Sequence, residues 1–180
     1  MLNSPVHVFI DESERGAYLV GAALILPQDL VSLRRTLRAL VLPRERTIHF
    51  NNESPSRKKQ LLARFTATGA IRGRIYTAQH PARSEARKAC MTALLQDLAA
   101  GDCRRLVIES REGRDKQDRQ VIVDQQRQRQ GLREMAYDHM RPYEEPLLWI
   151  ADGLAWGYGA GGDWRSRTAS MIEQIVEIGS

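Results

Sequence analysis

Three acidic residues stand where an apolar segment ends or surrounds them. Asp11 and Glu109 each close a short apolar run, and Asp152 lies inside the apolar segment 147–157. A carboxylate in apolar surroundings is costly unless a cation, hydrogen-bond donors or a proton neutralises it. A divalent metal shared by the three acids would satisfy all of them, and their oxygen ligands suit Mg²⁺ or Mn²⁺. The pattern therefore predicts a metal site that hydrolyses a phosphodiester, with these acids as catalytic metal ligands.

Each acid also has a structural interpretation. Asp152 could pair with a buried arginine or accept hydrogen bonds from backbone amides. Asp11 could be a turn residue that bonds the backbone just after it, and Glu109 could be an ordinary acid at a strand end. Glu12 follows Asp11 directly, so strand alternation points its side chain to the opposite face of the sheet. Asp11 is therefore the preferred ligand of the two.

His49 lies in the stretch 47–50, which is predicted to be a short strand. As a neutral donor or proton shuttle it could assist the leaving group as an auxiliary catalytic residue, or it could be structural. Glu53 and Asp115 are weaker reserve ligands. The four histidines lack zinc-ligand spacing, and the two cysteines form no Cys-x-x-Cys pair and are expected to be reduced. The glycine-rich run 157–162 follows a helix, so it is neither a phosphate-binding loop nor a dinucleotide motif.

Positive charge is concentrated in the middle of the chain. The net charge is +5, and residues 31–90 contain fourteen basic and three acidic residues. Such a tract attracts a polyanion, which predicts a nucleic acid, RNA or DNA, as the partner. The alternative is that these side chains are simply solvated helix faces. The residues predicted to hold the nucleic-acid backbone are Arg34, Arg35, Arg38, Arg57, Lys58 and Lys59.

The hydrophobic pattern predicts an α/β order of elements. Strands are expected over 6–13, 17–26, 47–50, 71–78 and 104–110. Helices are expected over 29–41, 56–68, 84–98, 111–133 and 147–157. Residues 136–142 fit neither pattern. A last helix is predicted after Asp163, which would cap it, with an apolar stripe formed by Met171, Ile172, Ile175 and Val176.

The length of 180 residues fits a single domain over 1–180, and no linker or repeat interrupts it. No segment reaches the roughly 20 apolar residues of a membrane-spanning helix, so no membrane partner is expected. The first residues lack the features of a secretory signal, and a cytoplasmic location is expected. The sequence does not determine the oligomeric state.

Three motifs occur in a characteristic order: Phe9-Ile10-Asp11-Glu12-Ser13, then Ile48-His49-Phe50, then the segment from Glu145 to Ala155. In this order they resemble the large prokaryotic family of domains of unknown function numbered 3800. The resemblance extends over nearly the whole chain. It implies a ribonuclease H-like mixed sheet flanked by helices, a carboxylate cluster and a divalent metal.

Asp11 and Asp152 match the acidic motifs of that family. Two positions depart from its pattern: Glu14 stands where glycine is usual, and Trp149 stands where many members have glutamine. The first departure alters a turn, and the second removes a polar neighbour of Asp152.

The sequence therefore predicts a metal-dependent nuclease that acts on RNA or DNA. A non-catalytic nucleic-acid-binding or partner-binding module with the same fold is the main alternative. Hydrolysis of a small nucleotide is a third possibility.

Overall fold

A computed structural model describes residues 4–179 of the chain, which are organised around one six-stranded mixed sheet. The strands are β1 (Val6–Ser13), β2 (Tyr18–Ile25), β3 (Arg72–Ala78), β4 (Cys103–Glu109), β5 (Ala136–Met140) and β6 (Ile172–Ile178). The helices are α1 (Leu30–Ala39), α2 (Pro55–Ala67), α3 (Arg83–Ala99), α4 (Asp115–Gln128), α5 (Leu148–Ala160) and α6 (Gly162–Thr168). The predicted α/β class is thus confirmed.

The strand order across the sheet is β5-β4-β1-β2-β3-β6. β2 runs antiparallel to both β1 and β3, and the other neighbours are parallel. As a result, five strands end at the same edge of the sheet, and only β2 runs the other way. Side chains delivered by the ends of β1 and β4 therefore meet at this carboxyl edge.

The helices form two layers, one on each face of the sheet. α1, α2, α5 and α6 pack on the face that Phe9 enters, whereas α3 and α4 pack on the face that Val8 and Ile10 enter. This alternation along β1 follows from the period of two in a strand. Both faces of β1 and β2 are covered, which explains why these strands are almost continuously apolar.

Two helices begin and pack as the sequence indicates. Ser54 accepts a hydrogen bond from the backbone N–H of Arg57 at 3.2 Å, and Pro55 is the first residue of α2, so the predicted cap is confirmed. α5 is apolar all round and is buried along most of its length. It lies across β1 and β2, close to the carboxyl edge.

The prediction of a final helix is wrong. Asp163 lies in the short helix α6 and does not cap it, and the chain then forms strand β6. β6 pairs in parallel with β3, where Ile75 lies opposite Ile175. The spacing of the apolar residues fits a helix, but β-branched residues favour a strand and β3 offers a free edge.

The predicted strand over 47–50 is also absent. His49 has an extended backbone, and a short 3-10 turn follows at Phe50–Asn52. The apolar side chains of this stretch, Ile48 and Phe50, are buried beneath the α5 layer and do not join the sheet. Packing against α5 takes the place of a strand partner, and the turn brings His49 and the Phe50 amide to the carboxyl edge.

Residues 136–142, which fitted neither pattern, include the edge strand β5. Cys90 and Cys103 are free and buried, as expected for reduced thiols. Within residues 4–179, none of the helices combines the length and apolar character required to cross a membrane.

Candidate active site at the carboxyl edge of the sheet

The ends of β1 and β4 place two of the predicted acids side by side. Ile10 lies opposite Ile108 in the parallel pair, so Asp11 and Glu109 are the next residues on neighbouring strands. Their carboxyl groups are close enough for Glu109 to raise the pKa of Asp11 and for Asp11 to lower the pKa of Glu109. Asp11 is 8% exposed and also accepts a hydrogen bond from the backbone N–H of Glu12 at 2.7 Å.

The third acid reaches the same place from α5. Gly21 lies opposite Asp11 on β2, and a Cβ atom at Gly21 would be 2.9 Å from the carbonyl oxygen of Ala151. The absence of a side chain therefore lets α5 lie directly on the hairpin next to Asp11. Asp152 follows Ala151, and its Oδ2 accepts a hydrogen bond from the Phe50 N–H at 2.8 Å.

The crowding of these carboxylates changes their acidity. Burial, the hydrogen bond with Glu109 and the charge of Asp152 raise the pKa of Asp11 well above its ordinary value. Burial is also the largest cause that raises the pKa of Asp152 to about 6, partly opposed by the Phe50 amide and His49. Burial works against ionisation of Glu109, but hydrogen bonding from Asp11 and the nearby Arg111 lower its pKa overall. Full ionisation of all three acids is therefore disfavoured, and a cation bound beside them would offset this cost.

Arg111 is the positive group inside the cluster, and the sequence did not single it out. Its Nη2 lies 3.2 Å from Asp11 Oδ1 and 3.3 Å from Glu109 Oε2. Its Nη1 is 3.1 Å from Glu12. The only sequence signal was its position two residues after the strand-end acid Glu109. Arg111 partly neutralises two of the three acids.

A pocket of about 450 Å³ opens over Asp152. His49, Asn51, Trp156 and Arg15 are among the residues that line it. The exposed His49 lies close enough to lower the pKa values of both Glu109 and Asp152. The pocket is thus lined by the Asp152 carboxylate and by the exposed imidazole of His49.

Two positively charged side chains contact the ring of Trp156, which lines this pocket. Lys58 Nζ lies 4.2 Å from the centroid of the Trp156 ring, and Arg15 Cζ lies 5.5 Å from it. Such cation–π contacts hold charged side chains in place without neutralising them. Lys58 is the member of the predicted basic tract that contacts Trp156, but it is only 9% exposed and does not itself line the pocket.

The other predicted phosphate-binding residues lie elsewhere. Arg34 forms a two-point ion pair with Glu145, with a shortest N–O distance of 2.8 Å, near His7 at the amino end of β1. That is the opposite end of the strand from Asp11. Arg57 donates to the Leu40 carbonyl oxygen. Three members of the tract are exposed on helix surfaces: Arg35, Arg38 and Lys59.

Glu12 reaches the α3 and α4 face of the sheet, as strand alternation predicts, although it also contacts Arg111 and lines the pocket over Asp152. It pairs there with Arg87 and Arg114. Arg87 also holds Asp118 through two hydrogen bonds of 2.8 and 2.7 Å. This buried network supports β1 from behind the acid cluster.

A second cluster of potential ligands lies next to this network. The nearest ligand atoms of Asp115, Asp118 and His139 are all within 4.8 Å of one another. Each of them is already bonded: Asp118 to Arg87 and to His139 at 3.1 Å, and Asp115 to the Ser110 hydroxyl at 2.6 Å. The cluster is a closed hydrogen-bond network in this structure. Within residues 4–179, Asp11, Glu109 and Asp152 are less tightly grouped than these three.

The fold is a ribonuclease H-like mixed sheet flanked by helices. The chain superposes on a chain of the structure described as the PCNA:RNase HII complex from Archaeoglobus fulgidus, with a TM-score of 0.60 and 13% sequence identity. The match covers 92% of this chain and 78% of the other. No protein-family model and no curated protein matches the sequence, so the resemblance to the family numbered 3800 stays a prediction. At this identity the likeness shows the fold alone.

Proposed function

We propose that the protein is a metal-dependent phosphodiesterase that hydrolyses RNA or DNA. The observation that carries the proposal is the convergence of Asp11, Glu109 and Asp152, drawn from two strands and a helix, at one edge of the sheet. The first and last of these acids are 141 residues apart in sequence, so only packing brings them together. The ribonuclease H-like fold is compatible with this activity.

The residues at the site fit a divalent cation. All three donors are carboxylates, which suits Mg²⁺ or Mn²⁺, and burial together with the neighbouring acids raises the pKa values of Asp11 and Asp152, a cost that a bound cation would offset. When bound, the metal would activate a water and stabilise the leaving oxygen of a phosphodiester.

The surrounding residues supply orientation and charge. The Phe50 amide fixes the Asp152 carboxylate, and Arg111 offsets the charge of the cluster. His49 stands at the pocket mouth, where it can donate a proton to the leaving oxygen. Arg15 lines the pocket and would hold a backbone phosphate, and the buried Lys58 adds positive charge behind the Trp156 ring. Phosphate contacts position a strand without reading its sequence, so we expect little sequence preference.

The test is cleavage of labelled single-stranded RNA, single-stranded DNA and duplexes with Mg²⁺ or Mn²⁺. We expect the parent to cleave at least one polymer, and Asp11→Asn and Asp152→Asn each to lower the rate by about 100-fold or more. The loss follows from removing transition-state stabilisation worth several kcal/mol. The matched control is Asp138→Asn, since Asp138 is a half-exposed acid on β5 paired with Arg105.

The control should keep the parent rate. Cleavage that survives in both Asp11→Asn and Asp152→Asn would contradict the proposal. So would an equal loss in Asp138→Asn, because the activity would then depend on fold stability and not on the acid cluster.

A non-catalytic nucleic-acid-binding module is the second candidate, and one contact favours it. Arg111 supplies the acid cluster with a cation from within the chain, through its bonds to Asp11 and Glu109. On this reading, the same oligonucleotides would bind in a salt-sensitive manner and stay intact with either metal. Binding without cleavage by the parent would therefore select the module over the enzyme.

A further inference from the structure

A second groove, of about 670 Å³, opens beside the acidic pocket at the same edge of the sheet. Residues at the start of β2, at the ends of β3 and β6, and on α5 and α6 line it. Arg15 lines both the groove and the acidic pocket, so the two cavities meet at this side chain. The groove therefore extends the candidate active site away from the acids.

Two arginines in this groove are held against aromatic rings. Arg15 Cζ lies 5.5 Å from the centroid of Trp156, and Arg165 Cζ lies 4.1 Å from the centroid of Tyr158. Arg165 Nε also donates to the Tyr158 carbonyl oxygen at 3.0 Å, and Arg15 donates to Asn51 at 3.2 Å. Each guanidinium is thus positioned by a ring and by one neutral acceptor.

These two side chains keep their charge available. Both are exposed, and within residues 4–179 neither lies within 4.0 Å of a carboxylate oxygen. By contrast, Arg111, Arg114 and Arg167 each pair with an acid. A planar guanidinium with free N–H groups binds phosphate at two points, and prior positioning reduces the entropy lost on binding.

We propose that this groove binds the nucleic-acid strand that leaves the acidic pocket, with successive backbone phosphates held by Arg15 and then by Arg165. This inference rests on the proposed function, because it requires that a polynucleotide binds in the acidic pocket. Glu177 also lines the groove, and its negative charge repels phosphates, which favours a strand on the side formed by α5 and α6. The nucleic acid is therefore placed in this groove and not on the surface of α1, where Arg34 is already paired with Glu145.

The experiment measures binding without cleavage. All proteins carry Asp11→Asn, and a labelled single strand of about 12 nucleotides is titrated by fluorescence anisotropy with Mg²⁺ over a series of salt concentrations. The variants are Arg165→Gln, Arg165→Lys and the control Arg167→Gln. Arg167 lies on the same helix but pairs with Asp163 at 2.8 Å.

One phosphate contact to a single strand contributes about 0.7 to the slope of log affinity against log salt. We expect Arg165→Gln to reduce this slope by about 0.7 and to weaken binding several-fold at low salt. Arg165→Lys keeps the positive charge and should keep the slope, as should Arg167→Gln. Thermal melting of each variant verifies that the protein remains folded. If Arg165→Gln does not fold, the salt dependence of binding is measured on Arg165→Lys.

An unchanged slope in Arg165→Gln, or an equal reduction in Arg167→Gln, would overturn the proposal for the groove. Its failure is separable from that of the nuclease. If cleavage depends on Asp11 but Arg165→Gln leaves the salt slope of binding unchanged, only the proposal for the groove is rejected. If Arg165→Gln reduces the slope but the parent cleaves no polymer, only the nuclease proposal is rejected.

Discussion

Replacement of Arg87 by methionine should be among the most destabilising single changes in this protein. The guanidinium of Arg87 donates to Asp118 at 2.8 and 2.7 Å, to the Tyr18 hydroxyl at 2.8 Å, and to Glu12. The side chains of Arg87, Glu12 and Asp118 are only 8%, 2% and 3% exposed. Arg87→Met therefore leaves Asp118 without its main cation and removes the buried partner of Glu12.

Removing one partner of a buried ion pair costs about 3–5 kcal/mol, because the other charge stays buried without compensation. Methionine keeps much of the apolar stem, so the loss is chiefly electrostatic. For a chain of this size, 1 kcal/mol lowers the melting temperature by about 2–4 °C, which gives a decrease of about 6–20 °C.

The assay is chemical denaturation by urea, with thermal melting as a second measurement. Arg105→Met is the matched control, since Arg105 also lies 2.7 Å from its acid, Asp138. That pair is 38% and 49% exposed, and an exposed pair is worth less than about 1 kcal/mol. The difference between the two variants therefore compares a buried network of ion pairs with a single exposed pair.

If Arg87→Met lowered the free energy of unfolding by no more than Arg105→Met does, the reasoning would be refuted. Such a result would mean that water reaches Glu12 and Asp118 in the folded protein, or that the carboxyl groups take up protons at little cost.

Two further predictions follow from the same network and from α5. Hydrogen bonds and charge from Arg87 outweigh burial and lower the pKa of Asp118 to about 2. Because its folded pKa lies below its unfolded value, Asp118 stabilises the fold above about pH 4, and this contribution, about 2 kcal/mol, is lost as the pH falls towards about 2. Denaturant titrations between these pH values should show a steeper loss in the parent than in Asp118→Asn, and parallel curves would contradict the assignment. A Cβ atom at Gly153 would lie 2.8 Å from the Phe50 ring, so Gly153→Ala should cost about 1–3 kcal/mol and displace the adjacent Asp152. Urea denaturation and the cleavage assay check this, and full stability with full activity would show that the Phe50 ring can move aside.

The sequence alone determined the elements whose signals are local. The alternating run of β1, the cap at Ser54 and the apolar segment of α5 were all predicted, because strand period, capping and helix burial depend on neighbouring residues. The ends of two apolar runs placed Asp11 and Glu109 each at the end of a strand. Only the parallel pairing of β1 and β4 made those two ends neighbours, and the role of the acids as metal ligands remains a prediction.

Tertiary structure decided what depends on partners distant in sequence. The apolar residues from Ile172 onwards fit a helix or a strand, and the open edge of β3 selected the strand. Arg34 pairs with Glu145 at the opposite end of β1 from the acids, whereas Lys58 is buried against the Trp156 ring. The sequence did not predict the role of Arg111, because the acids that it contacts, Asp11 and Glu109, lie on two strands that are distant in sequence.

Local propensity acts over a few residues, so it fixed which segments become strands and helices. Ion pairs and hydrogen bonds form between atoms a few ångströms apart in space regardless of their separation along the chain, so only the packed sheet decided which charges are neutralised and which remain free to bind.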